Sequence, residues 1–178
     1  MKIIGKSEGL NWIRDHKLPF KEEELKHFYK NSISHYLPVD SGMKTNLARG
    51  IAKMINEDND GEGFFWIVEW GIWSNSENPN LFYAYRKSLN ENREIVDAPF
   101  HVYKKSDLND LECLLDLSLY FIWTVFLVSP SKKMIFMPNK DEYIDFCCED
   151  EKMFEEYKGW SLIKKLRERK KDLFGNPV

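Results

Sequence analysis

The strongest constraint on this chain is the run Phe64-Phe65-Trp66-Ile67-Val68-Glu69-Trp70-Gly71-Ile72-Trp73. One carboxylate and one glycine interrupt a segment that is otherwise aromatic or β-branched. Such a composition belongs to a buried strand. Regular pleating would put Phe64, Trp66, Val68, Trp70 and Ile72 on one face and Phe65, Ile67, Glu69, Gly71 and Trp73 on the other. Glu69 is the only charge in the run, and an isolated carboxylate in apolar surroundings is very costly. It must be paired, protonated or close to water. Two readings follow. In one, Glu69 pairs with a basic side chain on a covering helix, such as Arg49 or Arg86. In the other, Glu69 and Trp73 line a pocket or docking face, where the carboxylate could act as acid or base.

The rest of the chain supplies partners for that strand. Pro19-Phe20-Lys21-Glu22-Glu23-Glu24 reads as a helix start with acids in its first turn, continuing through Leu25, Phe28 and Tyr29 and stopping before Pro38. A second helix runs from Ser41 or Thr45 through Asn56, with Leu47, Ile51, Met54 and Ile55 on one face. Leu81, Phe82, Tyr85 and Leu89 suggest a third, and Ser106-Asp107 caps a fourth that carries Leu108, Leu111, Leu114, Leu115 and Leu119. Between them, Pro99 demotes 93–103 to an edge strand or extended loop. Residues 122–129, 133–137 and 142–148 read as three meandering strands. A long C-terminal helix over about 150–171 follows, striped by Met153, Phe154, Tyr157, Trp160, Ile163 and Leu166. The expected fold is α+β: a single domain over residues 1–178, with a mostly antiparallel sheet of about four to five strands packed by about five helices.

Composition narrows the function classes. A net charge of −3 leaves no global basic footprint for nucleic acid. The three cysteines show no metal or redox spacing, which fits a reducing cytoplasm. The opening Met1–Glu8 lacks the apolar run of a signal peptide, and Leu117–Val128 is too short and too polar to span a bilayer. The expected location is therefore cytoplasmic, with no membrane partner.

Near-motifs fail on inspection. Ser41-Gly42-Met43-Lys44-Thr45 is like a phosphate loop, but Met43 separates the glycine from the lysine, and Pro38-Val39-Asp40 supplies neither the earlier glycine nor a strand. Asn56-x-Asp58-x-Asp60-Gly61 opens like a calcium loop, but Ile67 falls where the bidentate glutamate belongs. His16, His27, His35 and His101 have no ligand spacing, so no metal or cofactor is expected. Charge is segregated near the C-terminus: acids dominate Asp141–Glu156 and bases dominate Lys158–Lys171. On one helix that order suits the macrodipole. It also offers an acidic patch for a basic partner, or a basic tail for nucleic acid.

Three segments together resemble a group of uncharacterised bacterial proteins of similar length: Leu37–Thr45, Trp66–Trp73 with Ser76-Glu77-Asn78, and Leu117–Trp123 with Asp141-Glu142-Tyr143. The likeness covers residues 36 to 148. The general character of that group is similar to small immunity proteins, which neutralise toxins by binding them. The resulting expectation is a non-enzymatic bacterial cytoplasmic domain that binds a protein partner, such as a toxin, through Glu69, Trp70, Trp73, Asp141, Glu142 and Asp145. The alternatives are an enzyme or small-molecule binder around Glu69 and Trp73, and nucleic-acid binding by the basic C-terminal segment.

Overall fold

The computed structural model describes residues 1–19, 24, 28–57, 61–71 and 78–169. Seven strands form one antiparallel sheet: β1 (Lys2–Ile4), β2 (Asn31–Tyr36), β3 (Gly63–Glu69), β4 (Phe100–Tyr103), β5 (Thr124–Val128), β6 (Met134–Asn139) and β7 (Tyr143–Cys148). Their order across the sheet is β1-β4-β3-β5-β6-β7-β2. Among the described residues, five helices of nine residues or more accompany it: α1 (Lys6–Asp15), α2 (Ser41–Asn56), α3 (Pro79–Ser88), α4 (Leu108–Tyr120) and α5 (Glu151–Gly159). The α+β class stands, with more strands than the sequence suggested.

The alternation expected of the aromatic strand holds through Ile67. Phe65 and Ile67 face the larger core, which α2, α3, α4 and α5 cover. Phe64 and Trp66 face the other side, covered by α1, where Trp12 stacks on Phe64 at 4.3 Å. Gly9 lets α1 sit this close, because a Cβ there would lie 2.2 Å from the Phe100 ring. The register of β3 on β5 then slips between Ile67 and Glu69, so that two residues of β3 oppose Thr124. The strand ends at Glu69 and does not continue to Trp73; residues 72–77, Trp73 among them, lie outside the described residues.

Several expectations are corrected. The helix predicted from Pro19 to before Pro38 does not reach that far, since Asn31–Tyr36 is the strand β2, paired along its whole length with β7. Residues 20–23 and 25–27 lie outside the described residues. Residues 100–103 are no edge: β4 is buried along its length between β1 and β3. Pro99 sits just before the strand, where its missing N–H costs nothing, and its carbonyl accepts from the Ile67 amide at 3.0 Å. The C-terminal helix stops at Gly159, and Trp160 is extended. A short 3₁₀ turn at Ile163–Lys165 follows, and then the chain runs beside β2: the Tyr36 amide donates to the Arg167 carbonyl and the Arg169 amide to that of Ser34. The stripe Trp160, Ile163 and Leu166 still packs on the larger core, reached by turns instead of a helix.

Candidate functional site

Antiparallel pairing decides which loops meet. Glu69 at the end of β3 lies opposite Thr124 at the start of β5, and the end of β6 meets the start of β7 and the end of β2. One end of the sheet therefore collects Glu69–Gly71, Ile122–Thr124, the Lys140–Glu142 turn and the Leu37–Asp40 link into α2. The last turn of α4 and the first turn of α3 close on the same end, with Phe82 packed edge-on against Trp123 at 4.8 Å.

Glu69 is paired there, but by neither arginine the sequence nominated. Its Oε1 accepts from Lys140 Nζ at 3.1 Å and its Oε2 from Thr124 Oγ1 at 3.0 Å. Thr124 Oγ1 in turn accepts from the Lys140 amide at 3.2 Å, which ties the turn to β5. The Glu69 side chain remains 44% exposed, so the pair lies at the rim and not in the core. Arg49 pairs instead with Glu112 at 3.0 Å. Arg86 is fully buried and holds the carbonyls of Ala98 and Arg93 at 2.9 and 3.1 Å, pinning the loop between α3 and β4.

Of the remaining expected residues, Trp70 is half-buried against the larger core beside Gly71, whose φ of +72° turns the chain away from the sheet. Asp141 and Glu142 are exposed on the β6–β7 turn, next to Lys140. Asp145 is not with them: it is buried in mid-strand between β6 and β2, opposite Met137 and Ser34. The structure thus brings Glu69, Trp70, Asp141 and Glu142 to one end and separates Asp145.

No family model matches this chain, and no curated protein or solved structure is detectably similar to it.

The chemistry of the site therefore rests on its own geometry. Three residues at this end have left-handed backbone: Gly71, Ile122 (φ +58°) and Glu142 (φ +63°). A β-branched residue in that region is strained, and the surrounding hydrogen bonds hold it there. The Trp123 amide donates to the Ser118 carbonyl at 2.9 Å, and the Glu142 amide to that of Asn139 at 3.0 Å. Backbone hydrogen bonds thus pin the turns at Ile122 and Glu142.

The phosphate-loop-like segment is the start of α2, which begins at Ser41 and is capped by Asp40. The Asp40 carboxylate accepts from the Met43 amide at 2.8 Å, so a carboxylate already occupies the helix N-terminus. Asp58 and Asp60 of the calcium-like segment, and His27, lie outside the described residues. Among the described residues no group of three or more metal-ligating side chains converges, and no helix is long and apolar enough to cross a membrane. At the C-terminus, the macrodipole explanation of the charge order holds only within α5, with Glu151 in its first turn and Lys158 in its last, and the later bases lie beyond the helix. Arg167 and Arg169 lie instead over the rings of Tyr36 and Tyr143, at 5.1 and 3.9 Å.

Sequence reasoning missed Tyr120. It closes α4 with its ring 59% exposed and edge-on to Phe121 at 5.2 Å. The signal was present: Leu108, Leu111, Leu115 and Leu119 define the buried stripe, which leaves Asp116 and Tyr120, one turn apart, on the outer face.

Proposed function

We propose that this protein works by binding another protein through the Glu69 end of its sheet, as a non-enzymatic, immunity-like domain that occludes a toxin. One observation carries the reading. Five large apolar side chains are exposed among the described residues, and three of them, Val39 (97%), Leu81 (50%) and Tyr120, belong to segments that meet at this end, beside the exposed acids Asp141 and Glu142. Apolar and aromatic anchors within a charged rim are the usual anatomy of a protein interface. The hydrogen-bonded turns at Ile122 and Glu142 favour it further, because a surface already in its bound shape loses little freedom on association.

A catalytic pocket around Glu69 has less support, since both carboxylate oxygens are engaged by Lys140 and Thr124. Nucleic-acid binding by the basic tail has less as well, because Arg167 and Arg169 are engaged with tyrosine rings.

Affinity capture from the cell that makes the protein tests the reading, with wild type beside the double variant Asp141→Lys/Glu142→Lys. A partner retained by wild type and lost by the double variant is expected. Retention by both, with equal affinity of the purified pair, overturns it.

A further inference from the structure

An open sheet has two outer edges, and an uncovered edge is a template for pairing with another chain. Here the two edges, β1 and β2, are protected differently. β1 is only three residues long, and its Ile3 carbonyl accepts from Arg93 Nη2 at 3.1 Å, with that guanidinium held in turn by Glu91. β2 is twice as long and has no lysine, arginine, aspartate or glutamate of its own. It therefore lacks the charges that commonly keep an edge strand single. Its protection comes from the C-terminal segment. The Tyr36 amide donates to the Arg167 carbonyl at 2.9 Å and the Arg169 amide to the Ser34 carbonyl at 2.8 Å, which sets Glu168 opposite His35 in an antiparallel bridge. Arg167 and Arg169 lie over the rings of Tyr36 and Tyr143. Burial follows this cover: Ser34 and His35 are buried, whereas Ser32, two residues further along β2, is exposed.

The cover is shallow. Residues 167–169 belong to no helix, and Glu168 forms a single isolated bridge and not a strand. Ile163 and Leu166 pack on the larger core and fix the near end of the segment. Antiparallel alternation gives the outward backbone groups of Ser34 and Tyr36 to the segment and those of His35 to β7. Residues 167–169 can therefore lift without breaking the β2–β7 ladder, a local opening of the kind that costs far less than unfolding.

We infer that Arg167–Arg169 is a guard strap on the β2 edge, and that the occupant of that edge when the strap lifts is β2 of a second copy of this chain, paired antiparallel across a two-fold axis. A strand without charges is complementary to itself. With Ser34 at the axis, Ser32 meets Tyr36 of the second copy and Ile33 meets His35, so no like charges are opposed. The pairing closes at two copies, because Arg93 still blocks the β1 edge of each.

Sedimentation equilibrium of the purified full chain tests this in three forms: wild type, Arg167→Ala/Arg169→Pro, and the same variant with Ser32→Pro added. The strap variant loses both ring contacts and the N–H that feeds Ser34. The added proline removes an edge N–H that alternation points away from β7, so the β2–β7 ladder is spared. The strap variant should dimerise at least tenfold more strongly than wild type, and Ser32→Pro should return it to within threefold of wild type. A folded strap variant that associates no more than wild type overturns the inference, as does association that Ser32→Pro leaves unchanged or that grows past the dimer. Hydrogen exchange in the wild-type chain gives a second reading that needs no variant. The Tyr36 amide, held by the strap, should exchange at least tenfold faster than the His35 amide, held by β7. Equal protection of the two means that the strap does not lift on its own, which overturns the inference even where the variants fail to fold.

Discussion

Glu69 and Arg86 exchange the places their sequence contexts suggest. Glu69, the lone charge in an aromatic run, ends half-exposed at the rim of the sheet, paired with Lys140. Arg86, in a helix with ordinary polar neighbours, is fully buried beneath α3. It meets no carboxylate at salt-bridge distance among the described residues, only the carbonyls of Ala98 and Arg93. A charge is buried or exposed according to where its backbone ends up in three dimensions, and the hydropathy of its sequence neighbours is a poor guide. β3 ends at a bulge, which releases Glu69 to water, whereas Arg86 turns into the loop between α3 and β4, whose carbonyls enclose its guanidinium.

The contrast predicts very different costs. Arg86→Ala would leave two buried carbonyls without donors and a void beside Phe82, and should destabilise by roughly 3 kcal/mol or more. Chemical denaturation measures this directly. Arg86→Met fills the space without the donors and should recover part of the loss. A cost below about 1 kcal/mol for the alanine variant would mean that the guanidinium does not hold the 91–99 loop.

The same buried region has a pH signature that the rim lacks. His101, opposite Phe65 in the sheet, is fully buried, and neither ring nitrogen meets a partner at hydrogen-bonding geometry. Burial, and then the nearby Arg86 charge, push its pKa from 6.5 down to about 3. Between those values the unfolded chain takes up a proton that the folded one refuses. The contribution of His101 is therefore complete above pH 6.5 and is lost as pH falls, by about 1.4 kcal/mol per pH unit. Glu91, held near 2 chiefly by its hydrogen bonds to Arg93, adds loss in the same direction below about pH 4.5. His101→Leu should flatten the stability profile between pH 6 and 5 by about 1.4 kcal/mol. An unchanged slope would place the acid sensitivity elsewhere, with the buried His35, whose pKa burial also lowers, as the next candidate.

What the sequence revealed follows from the range of each signal. α2, α4 and the β5–β6–β7 meander are legible because their periodicity is local and their turns carry Ser-Pro, Pro-Asn or a cap. β1 is three residues long, and β2 is a polar edge strand, so neither has an apolar pattern to read. The C-terminal helix was overextended because Trp160, Ile163 and Leu166 keep helical spacing while a turn and an extended segment deliver them to the same core. At the candidate site, Glu69 and Trp70 stood out through composition, and Asp141 and Glu142 through charge. Their convergence depends on strand order, which the sequence does not display. Proximity along the chain groups Asp145 with them, but the pleat buries it in mid-strand. That Glu69 needs a cation follows from the cost of burying it unpaired; that the cation comes from a hairpin turn 71 residues away does not.

The smallest effect probes the rim itself. An ion pair in which both side chains are about 40% exposed contributes only some 0.2–1 kcal/mol. Glu69→Gln keeps the shape of the side chain, and Lys140→Met keeps most of its stem. Each single variant should cost less than about 1 kcal/mol, and a double-mutant cycle should return a coupling energy of a few tenths to 1 kcal/mol that shrinks as salt rises. A coupling above about 2 kcal/mol would show that Glu69 is held as firmly as Arg86 and would make it a structural pin. If the coupling is small while Glu69→Gln weakens capture of the partner more than tenfold, the carboxylate is kept for contact and not for folding. The two charges would then differ in purpose as well as in place.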